Sequence, residues 1–356
     1  MKRTVRFGII GCGVIGPWHA GALQRVKNAR LVAVCDLVEE KARKMAAEFD
    51  AAPYLDYHEM LAQADLDAVC VCTPSGMHAD MAVDCARAGK HVMTEKPADI
   101  ALPQIDRMTR ACRRAGVKLG CIFQRRTQPM WRKVRDTVAE GKLGKMVLGD
   151  AYLKYFRSQE YYDSAGWRGT WKWDGGGALM NQGVHCVDLL QWIMGPVKSI
   201  YAHADHLARK IEVEDTAVAA LTFKNGAFGV LEGTTSVLGM DHRLEFHGDK
   251  GTIVVQGEQI AKWEVPGETL EQARRSETDE GSGAADPKAI GLAGHIRLLG
   301  DFTDAIRTDR EPMIPGKDAR RSVEIILGVY ESSRTGKPVA LPLKARAARP
   351  RRRSRR

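Results

Sequence analysis

The chain has 356 residues, 44% of them hydrophobic and 28% charged, a composition ordinary for soluble globular protein and a length that suggests about two domains. Its formal net charge of +10 raises nucleic acid or an anionic membrane as partners, but residues 341–356 hold eight of the positive side chains and no acid, which leaves +2 on residues 1–340. No run approaches the roughly 18 uncharged apolar residues of a membrane span, no secretory signal is visible, and of the eight cysteines Cys12, Cys35, Cys70, Cys72, Cys121 and Cys186 lie in apolar runs or beside glycines, with no C-x-x-C spacing anywhere, so the reading is a cytoplasmic protein with buried thiols and neither nucleic acid nor membrane as partner.

In chain order, V-R-F-G-I-I (5–10), L-V-A-V-C (31–35), A-V-C-V-C (68–72), H-V-M (91–93) and V-K-L-G-C-I (117–122) are strand candidates. Segments 39–48 and 78–88 between them carry Ala, Met and paired charges at helical spacing, and Gly89 and Gly116 stand where helices would stop. Strands alternating with helices predict an α/β fold with a doubly wound parallel sheet over residues 1–122. From residue 123 the strand candidates lengthen and alternate: 147–156, 197–206, 216–223, 226–237, 242–247 and 251–263, with turn signals at 224–226 and 248–251. That pattern predicts an α+β second domain over 123–343 with a large, mostly antiparallel open sheet. A mobile loop is expected at 266–294, helices at 295–307 and 318–334, and a basic disordered tail at 344–356.

G-C-G-V-I-G at 11–16 follows the first strand and opens a helix, as a dinucleotide-binding fingerprint does. Gly11 would allow the tight turn, Gly13 the approach of a pyrophosphate, and Gly16 the close packing of helix on strand, with the free N–H groups of the helix start facing the anion. Asp36 ends the second strand 20 residues past Gly16, where a carboxylate would accept from the adenosine ribose hydroxyls and repel a 2′-phosphate, which favours NAD over NADP.

Lys96 follows the fourth strand, outside the carboxyl end where open α/β sheets bind ligands. An ammonium there polarises a developing alkoxide, or acts as a base on a secondary alcohol once its pKa is depressed; the alternative is a surface lysine paired with Glu95. Residues 178–194 have helical spacing that puts Asn181, His185 and Asp188 near one face. His185 is then an acid, a base or a hydrogen-bond donor to the reacting oxygen, or else a histidine tied to Asp188 for structural reasons. In the string from Tyr161 to Gly177, Trp167, Arg168, Trp171 and Trp173 combine flat apolar faces with a guanidinium suited to a sugar and its anionic group; Arg168 is taken as the direct ligand contact. Gln124, Arg125 and Arg126 are placed to reach the cleft, and no cluster of metal-ligand type is visible.

T-P-S-G-M-H at 73–78, T-E-K-P at 94–97 and G-G-G-A-L-M-N-Q-G-V-H-C-V-D-L-L at 175–190, together with the glycine fingerprint, resemble the Gfo/Idh/MocA family of glucose-fructose oxidoreductase and inositol dehydrogenase. The resemblance covers residues 1 to about 340 and implies a Rossmann domain followed by an open-sheet domain, with the substrate between sheet and nicotinamide. It implies catalysis by Lys96 and His185 with Asn181, and a cis peptide before Pro97. By the same likeness NAD lies against Gly11, Cys12, Gly13, Val14, Ile15, Gly16, Asp36, Thr73, Pro74, His78, Glu95, Lys96 and Gln124, and the substrate against Lys96, Arg168, Asn181 and His185. Inositol dehydrogenase-like members usually have Asp where this chain has Asn181; an amide cannot take a proton at neutral pH, which moves proton chemistry toward Lys96. The string before Asn181 looks more like members that oxidise C3 of pyranoses, including UDP-N-acetylglucosaminuronate 3-dehydrogenases. The expectation is an NAD-dependent oxidoreductase of a sugar, sugar nucleotide or cyclitol, assembled as a homodimer or homotetramer. A myo-inositol-type dehydrogenase, an NAD-dependent glycoside hydrolase or lyase working through transient C3 oxidation, and a non-catalytic sugar sensor are the alternatives.

Overall fold

The computed structural model describes residues 4–238, 240–274 and 291–343. Its first sheet is parallel, built from β1 (Val5–Ile10), β2 (Ala29–Cys35), β3 (Ala52–Tyr54), β4 (Ala68–Val71), β5 (His91–Thr94) and β6 (Leu119–Cys121) in the order 3-2-1-4-5-6. The central strands are covered on both faces, which is why β1 and β4 read as unbroken apolar runs; Phe7, Ile9, Val69 and Val71 are all fully buried. The short edge strand β3 escapes the sequence pattern because it is only A-P-Y, and Pro53 cannot donate to a ladder on both sides. Helices Glu39–Phe49 and His78–Arg87 stand where expected, and Leu102–Ala115 stops at Gly116, whose φ of +68° is the left-handed cap conformation.

The second sheet comprises β7 (Met146–Lys154), β8 (Val197–Asp205), β9 (Thr216–Phe223), β10 (Phe228–Thr234), β11 (Arg243–Gly248), β12 (Thr252–Gln256), β13 (Gln259–Glu264) and β14 (Val339–Ala340). Their order is 13-12-11-7-10-9-8-14, antiparallel except for the β10–β7 pair. The expected single strand at 251–263 is two, β12 and β13, reversed at a turn through Gly257. Helices Val184–Met194 and Gly316–Thr335 pack on one face. The other face leaves Leu148, Tyr201, Val218 and Phe228 exposed.

The expected loop at 266–294 contains a short helix, Leu270–Arg274; its part from 275 to 290, like the tail 344–356, lies outside the described residues. Helix Leu292–Thr308 returns to the first domain and packs on helix Gly16–Leu23. Phe302 meets Phe7 at 6.5 Å between ring centroids, and the Cys121 N–H donates to the Ile314 carbonyl at 3.0 Å. A division at residue 122 in chain order is therefore not the division in space. All eight cysteines are free and buried, and no helix among the described residues is long and apolar enough to cross a membrane.

Candidate active site

The glycine loop joins β1 to helix Gly16–Leu23, and its three glycines meet three different constraints. Gly11 has φ +101°, and a Cβ there would lie 2.5 Å from the Cys72 carbonyl oxygen; a Cβ on Gly16 would lie 2.3 Å from the Gly11 carbonyl oxygen. Around Gly13 nothing stands within 4 Å, so this backbone is open to a pyrophosphate. Asp36, past the end of β2, accepts from the Cys12 N–H and the Val38 N–H at 2.9 Å each, fixing the carboxylate beside the loop. Val14 is 57% exposed and Ile15 half-buried on the same turn. Thr73 and Pro74 follow β4, Glu95 and Lys96 follow β5, and Gln124 follows β6, so all these positions gather at the carboxyl edge, where the strand order reverses between β1 and β4. The Gln124 Oε1 is buried without a hydrogen-bond partner, an acceptor suited to the amide N–H of a nicotinamide. The residues present fit a bound NAD.

Two positions expected at the cofactor are used by the protein itself. His78 is buried, with Nδ1 2.8 Å from the Pro97 carbonyl oxygen and Nε2 2.9 Å from that of Thr73, so it ties the loop after β4 to the loop after β5 and supports the site rather than offering a nitrogen to it. Glu95 is also buried: its Oε1 lies 2.7 Å from Nε2 of His19 and 3.5 Å from Nε2 of His295, and its Oε2 accepts from the Lys96 main-chain N–H at 3.0 Å. The hydrogen bonds and charges of the two imidazoles hold its carboxyl well below the usual range against the upward push of burial. The sequence offered no cluster of metal-ligand type; the fold makes one, bringing ligand atoms of His19, Glu95 and His295 within 4.8 Å of one another.

The Lys96 ammonium reaches across to the second domain. The Lys96–Pro97 peptide is cis, and the ammonium donates to the main-chain carbonyl of Asn181 at 2.9 Å, a bond from one domain to the other. The expected continuous helix 178–194 begins instead as a π-helical turn, Ala178–Gly183, before α-helix Val184–Met194. Such widened turns recur at functional sites. Gly177 precedes the turn, and a Cβ on it would lie 2.0 Å from the Glu214 carbonyl oxygen, so only glycine lets the turn sit this close to the strand leading into β9. The Asn181 amide donates to Oδ1 of Asp174. His185 is not tied to Asp188, because Asp188 forms a two-pronged buried pair with Arg126 at 2.6 Å for each bond. Arg126 is thereby withdrawn from the cleft, and Arg125 is likewise engaged by Glu258 at 3.3 Å and by His242.

Burial lowers the Lys96 pKa, opposed by Glu95 and Asp174 and assisted by Arg157 and Arg125. Burial, then the Lys96 charge, holds His185 well below its usual pKa, so its imidazole is neutral at physiological pH. Burial also pushes Asp174 up to about 6. An amine made easier to deprotonate, next to a neutral imidazole, is an arrangement that accepts a proton from an alcohol. Arg168 stacks on Tyr161 and Trp167 at 4.2 and 4.7 Å, and donates to the Tyr161 hydroxyl. Trp173 contributes a carbonyl to the Gly76 N–H at 2.9 Å, closing the aromatic string against the loop after β4. Sequence reasoning passed over Asp174 and Arg157. Asp174 sits inside the W-K-W-D-G-G-G string, but nothing in spacing distinguishes it from a solvated loop acid.

Residues 5–123 match the family described as "Oxidoreductase family, NAD-binding Rossmann fold", and residues 131–254 match "GFO/IDH/MocA C-terminal domain". Myo-inositol 2-dehydrogenase of Thermotoga maritima is 33% identical over 264 residues, 70% of this chain and 74% of the relative. The scyllo-inositol 2-dehydrogenase (NAD(+)) of Bacillus subtilis is 26% identical over 97% of this chain and 98% of its own. Among solved structures, the WlbA dehydrogenase of Bordetella pertussis in complex with NADH and UDP-GlcNAcA superimposes with a TM-score of 0.88 at 34% identity, covering 97% of this chain and 99% of its own.

Proposed function

This chain belongs to the GFO/IDH/MocA family of NAD-dependent oxidoreductases, and from that premise we propose that it oxidises the secondary alcohol at C3 of a pyranose, as a uronate, sugar nucleotide or glycoside, with Lys96 as the base. Bound NAD supplies the hydride acceptor. Lys96 Nζ takes the hydroxyl proton as the carbon–hydrogen bond is broken, so the alcohol becomes a ketone and the ammonium carries away the proton. His185, neutral, holds the reacting oxygen. Asn181, already bound to Asp174, orients a neighbouring hydroxyl but takes no proton. The observation that carries this reading is the Lys96 ammonium, lowered in pKa and held against the Asn181 carbonyl beside His185. Arg168 lines the sugar side. NAD is preferred to NADP because Asp36 presents a carboxylate beside the glycine loop.

The test is NADH absorbance across a panel of pyranoses, uronates, their UDP derivatives, glycosides and inositols, followed by NMR of the product. A 3-keto pyranose supports the reading. Reduction of NAD by inositols alone replaces it with a cyclitol dehydrogenase, release of an aglycone without net NADH with an elimination enzyme, and silence across the panel with a sugar sensor.

The same reading takes the enzyme to be cytoplasmic, in keeping with eight free buried thiols. It takes the exposed sheet face carrying Leu148, Tyr201, Val218 and Phe228 as the contact between copies in a homodimer or homotetramer. Sedimentation of Phe228→Lys against the wild type tests this: a smaller species supports it, and an unchanged one refutes it.

A further inference from the structure

Three arginines of this region are largely withdrawn from water, and two have their counter-ion: Arg126 has Asp188 and Arg125 has Glu258. The third, Arg157, has none. It follows β7, is only 6% exposed, and its main-chain N–H donates to the Thr235 carbonyl at 2.8 Å. Its guanidinium donates to the Phe156 carbonyl at 2.6 Å and to Oε1 of Gln182 at 2.9 Å, both neutral acceptors. Its Nε has no hydrogen-bond partner, and among the described residues no carboxylate lies within ion-pair distance of it. A charge so withdrawn from water is costly unless an opposite charge joins it. Gln182, which accepts from the Arg157 fork, donates in turn to Oδ1 of Asn181 at 3.3 Å, and the Asn181 carbonyl holds the Lys96 ammonium at 2.9 Å, which places Arg157 at the reacting end of the cleft. Gln182 also donates to the Tyr161 hydroxyl at 3.0 Å, and Arg157 stacks on the Tyr161 ring at 5.4 Å, so the fork is held in place before any ligand arrives. Arg168 stacks on the same ring, and its Nε too is buried and unpartnered.

We propose that Arg157 is the specificity-determining anchor for a carboxylate on the substrate, so that the enzyme takes hexuronic acids and their derivatives in preference to neutral sugars and cyclitols. This rests on the pyranose reading above. A planar guanidinium with its remaining donors free matches a carboxylate in shape and charge, and an ammonium or amide does not. The anion also adds to the negative charge that Asp174 and Glu95 set against Lys96, Arg157 and Arg168.

The experiment compares pairs of substrates that differ only at C6, a carboxylate against a hydroxymethyl group: D-glucuronate with D-glucose, and UDP-N-acetylglucosaminuronate with UDP-N-acetylglucosamine. Loss of a charge-assisted hydrogen-bonded pair corresponds to about 100-fold in specificity. The wild type is expected to favour the uronate by about that factor in kcat/KM, Arg157→Met to bring the ratio within about fivefold of one through KM, and Arg157→Lys to fall between, with NADH affinity unchanged in both. A wild-type ratio near one, or Arg157→Met lowering both members of a pair equally, overturns the proposal while leaving a pyranose dehydrogenase standing. Preference for glucose 6-phosphate over glucuronate overturns the carboxylate assignment. If no sugar reduces NAD, the pyranose reading fails, and calorimetric titration of glucuronate into the NADH-loaded protein decides the rest. Binding lost in Arg157→Met but kept in Arg157→Lys sustains the anchor, and no binding to the wild type ends it.

Discussion

Replacing Lys96 with Met keeps the straight apolar stem and removes the ammonium. Two consequences follow from its place between Glu95, Asp174, His185 and the Asn181 carbonyl. Loss of the base removes a proton transfer of the kind that contributes about 10²–10⁴ in rate, about 3–5 kcal/mol of barrier, so kcat falls by that factor. Loss of the charged donor to Asn181 also costs about 1.5–3 kcal/mol of stability, since the carbonyl keeps its place in the π-turn without its partner. NAD affinity holds within about threefold, because Asp36 and the glycine loop carry the adenosine end. A second readout follows from electrostatics. The Lys96 charge is one cause of the depressed His185 pKa, so its removal favours the imidazolium and the His185 pKa rises. Stopped-flow NADH formation, fluorescence titration of NADH and histidine NMR between pH 4 and 8 check these together. A variant turning over within about fivefold of wild type would refute Lys96 as the base, and an unmoved His185 titration would refute the coupling.

Other outcomes can be stated more briefly. The Asp174 carboxylate raises the Lys96 pKa, so Asp174→Asn lowers it, and the rise of kcat/KM with pH moves to lower pH; a move to higher pH excludes Lys96 as the titrating group. Because Asp174 itself is raised from 3.8 to about 6, its contribution to stability is fully present below about pH 4 and is lost as pH rises through about 6, so Asp174→Asn flattens the fall of the urea midpoint across that window. Asp36→Ser removes the repulsion toward a 2′-phosphate, and the NADH/NADPH affinity ratio drops by about tenfold or more in fluorescence titration. Arg126→Met leaves Asp188 buried without its cation and costs about 3–5 kcal/mol in denaturant unfolding; a loss under about 1 kcal/mol contradicts the pair.

What the sequence discloses here is what chain neighbours decide. The glycine loop and Asp36 are separated by one helix and one strand, and Gly11 and Gly16 meet the steric demands their spacing implies. Lys96 is legible because it ends a strand on the ligand-binding edge. The residues that tune it are not, because they arrive from elsewhere: Asp174 and Arg157 come from the second domain, and the cluster around Glu95 joins His19 to His295 across most of the chain. Helical periodicity left a tie to Asp188 as the alternative role for His185, whereas Asp188 pairs with Arg126, 62 residues away. It also missed the π-turn, since a widened turn leaves no mark on apolar spacing. The break between β12 and β13 was hidden for a related reason: T-I-V-V-Q and Q-I-A-K-W-E read as one strand unless the Gly257 turn is given its weight.

The return of helix Leu292–Thr308 bears on how the molecule comes to exist. The nucleotide-binding sheet is complete in sequence by Cys121, yet that residue's N–H waits for the Ile314 carbonyl, and Phe7 and Glu95 wait for Phe302 and His295. Growing from the ribosome, the first sheet lacks these partners until helix Leu292–Thr308 and Ile314 have emerged. The cofactor's half of the cleft and the substrate's half therefore mature together, and a released fragment ending near residue 122 would present an apolar flank on Phe7 and an unpaired backbone N–H at Cys121. Helix Leu292–Thr308 and Ile314 thus close the sheet that carries Lys96 at its edge.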